Sequence, residues 1–188
     1  AARIFAGDEF VPKAGEFLFP AQANLRKVMD VLHDGKSIQR RITIIEGQKS
    51  SRIVEMINGM PKLIGNINQP VEEGSMFPDT YFYTYGTKRA DLIARMQEKL
   101  QMNLAEAWLE RQTDLPYTAP KEALIMASII EQEASNKSER KLVSAVLVNR
   151  LKLGMRLQSD PTVRYGIDHN SSLAISKSDL QRRTPWNT

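Results

Sequence analysis

Two glutamates near the end of an apolar stretch raise the first question of chemistry. Lys121 to Ala134 reads as a helix, and it runs directly into Glu131-Gln132-Glu133. Side chains two residues apart on a helix point roughly 200° apart, so Glu131 and Glu133 cannot serve one site from the same face. Glu133 shares its side with Met126, Ile129 and Ile130, and Glu131 shares its side with Leu124 and Ala127. A carboxylate on an apolar side is costly to ionise, which raises its pKa. A raised pKa suits a general acid working near neutral pH. The same two residues also read as solvated glutamates just past a buried turn, and periodicity does not choose between these readings. Downstream, Asn149 interrupts the apolar stripe of Leu142, Val146 and Leu153. Its amide must find partners, either by bracing the chain or by facing a cleft. Residues 154–162 read as a half-buried strand with Arg156, Gln158 and Asp160 on one face and Met155, Leu157 and Ser159 on the other. Asp160-Pro161 also has the form of a helix cap followed by proline at the first helical position. Arg156 and Gln158 are therefore the better ligand contacts.

Composition removes several other chemistries. The chain has no cysteine, which excludes disulfides and thiolate metal sites. His33 and His169 are its only histidines, too few for a multi-histidine metal site. The net charge of +4 describes either a solvated basic surface or an acidic partner such as nucleic acid, anionic lipid or an anionic polysaccharide. No segment interleaves aromatics with Lys and Arg as nucleic-acid surfaces do. No apolar run reaches the ~18 residues of a membrane span, and no signal peptide is visible. The chain opens abruptly at Ala1-Ala2-Arg3, which leaves room for an anchor upstream.

The elements that must hold these residues follow from periodicity. Residues 1–20 read as short extended pieces. Asn24 caps a helix from Leu25 to Leu32, ended by Gly35. The β-branched run Arg41 to Ile45 predicts a strand, and Ser51 to Asn58 a helix. Residues 59–75 predict loop with one short helical piece. Phe77 to Tyr85 is an aromatic cluster that reads either as a buried turn and short strand or as the floor of a sugar cleft. Leu92, Ile93, Met96, Leu100, Leu104 and Trp108 keep a helical period from about residue 88 or 90 to about 110 or 111. The helix from Lys121 is apolar on every side, which predicts burial all round. Asn136 or Ser138 caps a further helix from Glu139 to Lys152, closed by Gly154. The fold class expected is α+β.

The segments Ala127-Ser128-Ile129-Ile130-Glu131-Gln132-Glu133-Ala134, Ser138-Glu139-Arg140, Val148-Asn149-Arg150-Leu151 and Gly154-Met155-Arg156-Leu157-Gln158-Ser159-Asp160-Pro161-Thr162-Val163-Arg164-Tyr165-Gly166 together resemble the MltG (YceG-like) family of endolytic murein transglycosylases. Upstream, Ala14-Gly15-Glu16-Phe17 with Phe19, Leu32-His33-Asp34-Gly35-Lys36, Ile45-Glu46-Gly47 and Phe77-Pro78-Asp79-Thr80-Tyr81 occur in the family's order, so the resemblance covers nearly the whole chain. It implies a small LysM-like αβ unit over residues 1–58, incomplete at its start. A mixed helix and short-strand catalytic domain would follow over residues 59–188, with its C-terminal part lying beyond this chain. It implies a single-pass bacterial inner-membrane protein whose body lies in the periplasm and whose anchor is absent here. The implied partners are peptidoglycan glycan strands and peptidoglycan synthases, not nucleic acid. No cofactor and no metal is implied.

Carried over by position, the family's essential glutamate falls on Glu133. The reaction implied is cleavage of the β-1,4 bond between N-acetylmuramic acid and N-acetylglucosamine in nascent strands, without water, leaving a 1,6-anhydro end. One carboxyl group would act first as acid and then as base, unlike the two-carboxylate scheme of most glycosidases. Asn149, Arg156, Gln158 and Asp160 are then the expected substrate contacts, with Arg156 and the basic balance meeting the peptide carboxylates. A reading from another class is a non-catalytic peptidoglycan-binding module using the N-terminal unit and the aromatic cluster.

Overall fold

The computed structural model describes residues 15–134, 136–167 and 175–188. The extended pieces expected before residue 15, and His169, lie outside the described residues. The Asn24 side chain accepts the Lys27 N–H at 2.9 Å and opens α1 (Leu25–Asp34). Gly35 ends it, and no side chain fits there, since a Cβ would stand 2.1 Å from the Val31 carbonyl oxygen. Strand β1 (Arg40–Thr43) pairs antiparallel with β2 (Thr80–Tyr83), in register from Arg40 with Tyr83 to Thr43 with Thr80. Ile42 and Tyr81 face each other in the core, while Arg41 and Phe82 face solvent, the two-residue alternation of a half-buried sheet. Helix α2 (Ser50–Asn58) lays Ile53 and Ile57 into the same core.

Helix α3 (Arg89–Leu109) begins with a buried arginine. The Arg89 guanidinium donates to the carbonyl oxygens of Ile57 (2.9 Å), Asn58 (3.1 Å), Met60 (2.6 Å), Leu63 (2.7 Å) and Gly65 (2.5 Å). These carbonyls are the ones a helix over this stretch would use internally. The short helical piece expected within residues 59–75 is accordingly absent, and the segment is turns and loop. Leu92, Ile93 and Met96 of α3 complete the core with Ile44, Leu63, Met76 and Tyr83. The Tyr81 hydroxyl donates to the Phe77 carbonyl at 2.7 Å. Burial, with the nearby Asp79 charge, pushes the Tyr81 phenol up to about 12. The aromatic cluster thus sends Tyr81 and Tyr83 inward and leaves Phe82 and Tyr85 exposed. These elements, α3 only as far as Lys99, belong to a first compact unit, with β1 and β2 on either side of residue 59 in one sheet.

The second compact unit starts at Leu100. It is helical: α4 (Pro120–Glu133), one 3-10 turn at Lys137–Glu139, α5 (Arg140–Lys152), α6 (Asp160–Ile167) and α7 (Lys177–Gln181). Asn136 caps the 3-10 turn, its side chain accepting the Ser138 N–H at 3.2 Å. Gly154 follows α5 at φ +66°, a left-handed conformation that only glycine adopts without strain. Met126 and Ile129 of α4 pack with Leu147 of α5, flanked by Tyr117, Ile130, Val143 and Leu157.

Two expectations are corrected in this unit. Helix α4 is buried on one side only: α5 and α6 cover Met126 and Ile129, while Ile125 is 53% exposed. An apolar circumference does not bury a helix that has neighbours on one side. The strand expected over residues 154–162 is not formed. Residues 155–159 are irregular, and Asp160 is already the first residue of α6. Gln158 takes φ +53°, with its N–H held on the Thr188 carbonyl, and that turn breaks any strand alternation of Arg156, Gln158 and Asp160.

Candidate active site

Helix α4 opens on Pro120, whose missing N–H costs nothing in the first turn. It ends at Glu133 because Ala134 turns extended (φ −87°, ψ 103°) after its own N–H bonds to the Ile130 carbonyl at 2.9 Å. Glu133 therefore stands at the lip of the buried side of α4, one turn beyond Ile129 and two beyond Met126, and is itself half-buried. Glu131, which periodicity left equal to it, stands elsewhere. Its carboxylate is bound to the Arg140 guanidinium at 2.6 Å, an ion pair between the end of α4 and the start of α5.

Glu133 meets a different partner. The Ser159 hydroxyl donates to Glu133 Oε1 at 2.6 Å. Ser159 is only 2% exposed, one of the most buried polar side chains described. It occupies the capping position of α6: its carbonyl accepts the Thr162 N–H at 3.2 Å and the Thr162 hydroxyl at 2.7 Å. A serine in that position commonly turns its hydroxyl back to the helix; here the hydroxyl is aimed at a carboxylate. The Ser159 hydroxyl thus presents the positive end of its dipole to Glu133. The bond occupies Oε1 of a carboxyl group that is itself half-buried.

The other expected site residues are distributed around this contact. Gln158 and Asp160 flank Ser159 in the chain and are both exposed. Asp160 is the first residue of α6, not its cap, because Ser159 takes that place. The Gln158 N–H donates to the Thr188 carbonyl at 2.7 Å, and its side-chain oxygen lies 3.5 Å from an Arg150 nitrogen. Arg156 donates to the Asn187 carbonyl at 2.6 Å. Asn149 lies exposed on α5. The structure thus joins Glu133 to the segment that carries Gln158 and Asp160, and it turns Arg156 toward the C-terminal residues. Those residues pack in their turn on α6. Gly166 makes room for Trp186, since a Cβ at Gly166 would lie 2.5 Å from the indole, and Tyr165 meets that ring edge-on at 4.9 Å between centroids. Ser159 itself was placed on the wrong side of a strand by sequence reasoning. The available signal was its position immediately before Asp160-Pro161, where a helix cap belongs.

A separate open cleft of about 350 Å³ lies in the first unit, lined by Asn66, Asn68, Gln69 and Gln97 together with Ile67 and Val71. It contains none of the expected site residues.

The likenesses to known proteins converge on one family. The family model of the YceG-like family matches residues 2–188. A Bacillus subtilis protein named endolytic murein transglycosylase is 36% identical over 124 residues, which is 65% of this chain and 33% of that protein. A Streptococcus pneumoniae protein of the same name is 32% identical over 119 residues, 61% of this chain and 21% of that protein. The chain thus spans a third or less of the length of these relatives. The crystal structure of a YceG-like protein from Listeria monocytogenes superposes with a TM-score of 0.57 at 26% identity, covering 94% of this chain and 68% of that one. With a family model matched along almost its entire length, this chain belongs to the YceG-like family.

Proposed function

We propose that the protein is an endolytic murein transglycosylase with Glu133 as its single acid and base. The observation that carries this reading is the environment of Glu133: a half-buried carboxyl group at the end of α4, held through one oxygen by a buried serine. Glu131 is instead tied into an ion pair. The names borne by the relatives from Bacillus subtilis and Streptococcus pneumoniae support the same reaction.

In this reading the protonated Glu133 carboxyl donates its proton to the glycosidic oxygen between N-acetylmuramic acid and N-acetylglucosamine. The bond from that oxygen to C1 breaks, and its electron pair leaves with the N-acetylglucosamine hydroxyl. The Glu133 carboxylate then takes the proton from the C6 hydroxyl as O6 closes on C1. The muramic acid ends as a 1,6-anhydro sugar, no water is consumed, and Glu133 is returned protonated. Asn149, Arg156, Gln158 and Asp160 are assigned as substrate contacts. Arg156 is the one whose charge suits the peptide carboxylates of the strand.

Residues within 1–58 are assigned the LysM-like role of gripping peptidoglycan. The protein is placed at the inner membrane with its catalytic body in the periplasm, next to the synthases that make its substrate. Among the described residues no helix is long and apolar enough to cross a membrane. Incubation of wild-type and Glu133→Gln protein with purified sacculi tests the reading. Soluble fragments with anhydro ends are expected from the first and none from the second. Retention on insoluble peptidoglycan with no fragments from either would instead favour the binding module.

A further inference from the structure

We propose that Ser159 is a positioning residue that assigns different tasks to the two oxygens of the Glu133 carboxyl group; this inference rests on the catalytic reading of Glu133. The hydroxyl of Ser159 donates to Oε1 at 2.6 Å, a short hydrogen bond. With Oε1 held as an acceptor, Oε2 is the oxygen that carries the proton to the glycosidic oxygen and later removes one from the C6 hydroxyl. A glutamate at a helix end has three rotatable side-chain bonds, and a carboxyl group free to rotate would offer both oxygens in many directions. One buried donor removes that freedom and presents one oxygen to the open side.

Three independent features point to Ser159 as built for this contact. It is 2% exposed, so its hydroxyl has no water to turn to and is committed to the carboxylate. The residue before it is strained: Gln158 adopts φ +53°, a left-handed conformation uncommon for a residue with a side chain. That conformation is held from both sides, by the Gln158 N–H on the Thr188 carbonyl at 2.7 Å and by Arg150, which donates to the Leu157 carbonyl. Finally, the serine stands at the start of α6 with its carbonyl bound by the Thr162 N–H and hydroxyl, which fixes its backbone on that helix. A sharp turn, a pinned backbone and a buried donor together aim one hydroxyl at one carboxyl oxygen.

The test uses Ser159→Ala and Ser159→Cys in the intact protein, each also combined with Glu133→Gln. Fragment release from sacculi gives kcat and KM, and thermal unfolding gives stability. Ser159→Ala is expected to lower kcat by ~10- to 100-fold, the scale of a misplaced reacting group, with KM changed by less than about twofold. Ser159→Cys, nearly isosteric with a weaker donor, is expected to fall between Ala and wild type, and it takes the place of Ala if Ala fails to fold. Thermal unfolding should show Ser159 and Glu133 coupled in the double-mutant cycle, a readout independent of activity. A wild-type kcat in either folded serine variant would overturn the inference, as would strict additivity of the two changes in unfolding. The parent reading fails by a different result: Glu133→Gln would then release fragments at the wild-type rate.

Discussion

The two compact units treat buried polarity in opposite ways. In the first unit the buried polar side chains are Ser50, whose hydroxyl donates to the Glu72 carbonyl, and Arg89, which donates to backbone carbonyls from the end of α2 to Gly65. Arg89 neutralises nothing and reaches no titratable side chain in those contacts; it organises residues 57–65 beneath a core of eleven buried apolar residues. In the second unit the buried polar group is Ser159, and its hydroxyl goes to a carboxylate that is half open to solvent. The core around it is thin, with three buried apolar members, while Leu142 and Leu153 stay 72% and 73% exposed. A buried donor that satisfies backbone is scaffold. The buried donor that meets a half-buried acid is the contact on which the proposed role of Glu133 rests.

The contrast can be broken by substitution, most severely at Arg89. Arg89→Met leaves five carbonyls without their donor and should cost about 4 kcal/mol, read by urea unfolding; a loss below about 1 kcal/mol would deny Arg89 its organising role. Core truncation should show the next largest effect, and an unequal one. Leu92→Ala, in the larger core, should lose about 3 kcal/mol. Leu147→Ala, in the thinner core whose neighbours can relax toward solvent, should lose about 2 kcal/mol. Equal losses would mean the second core is as tightly packed as the first.

Glu131→Gln sharpens the comparison inside one helix. It removes an ion pair with Arg140 that is worth less than about 1 kcal/mol, and fragment release should persist, in contrast to Glu133→Gln. The smallest effect is in the pH dependence of the first unit. The Lys99 ammonium on the Asp79 carboxylate, aided by the Thr80 N–H, holds that carboxyl below its ordinary range. A depressed folded pKa gives stability that is fully present above the unfolded value near ~4 and lost as pH falls through the lower folded value. Lys99→Met should therefore lower the neutral plateau slightly, leave stability at the acid end nearly unchanged, and so flatten the acid limb below about pH 4. An unaltered acid limb would show that the pair contributes nothing.

Most of the scaffold was legible because it rests on local rules. Asn24 and Gly35 mark α1, the β-branched residues of 41–45 mark β1, and the 3.6-residue spacing from Leu92 onward marks α3. What failed was set by distant contacts. Nothing near residues 59–65 announces that Arg89 takes their carbonyls. The alternation of Arg156, Gln158 and Asp160 mimics a strand, and only the left-handed turn at Gln158 and its bond to Thr188 cancel it. Glu133 was singled out by resemblance, with periodicity leaving Glu131 equal. The partners that separate the two, Arg140 and Ser159, lie nine and twenty-six residues away in the chain. Ser159 escaped notice because the strand reading set it on the apolar face with Met155 and Leu157, and because the cap was read at Asp160.

The central claim is that one carboxyl group performs both proton transfers without water. Mass spectrometry of the fragments released from sacculi by wild-type and Glu133→Gln protein tests it most directly. The account requires that every new muramic acid end from the wild type be one water lighter than a hydrolytic end, and that Glu133→Gln release none. Hydrolytic ends from the wild type, or anhydro ends from Glu133→Gln at an undiminished rate, would contradict it.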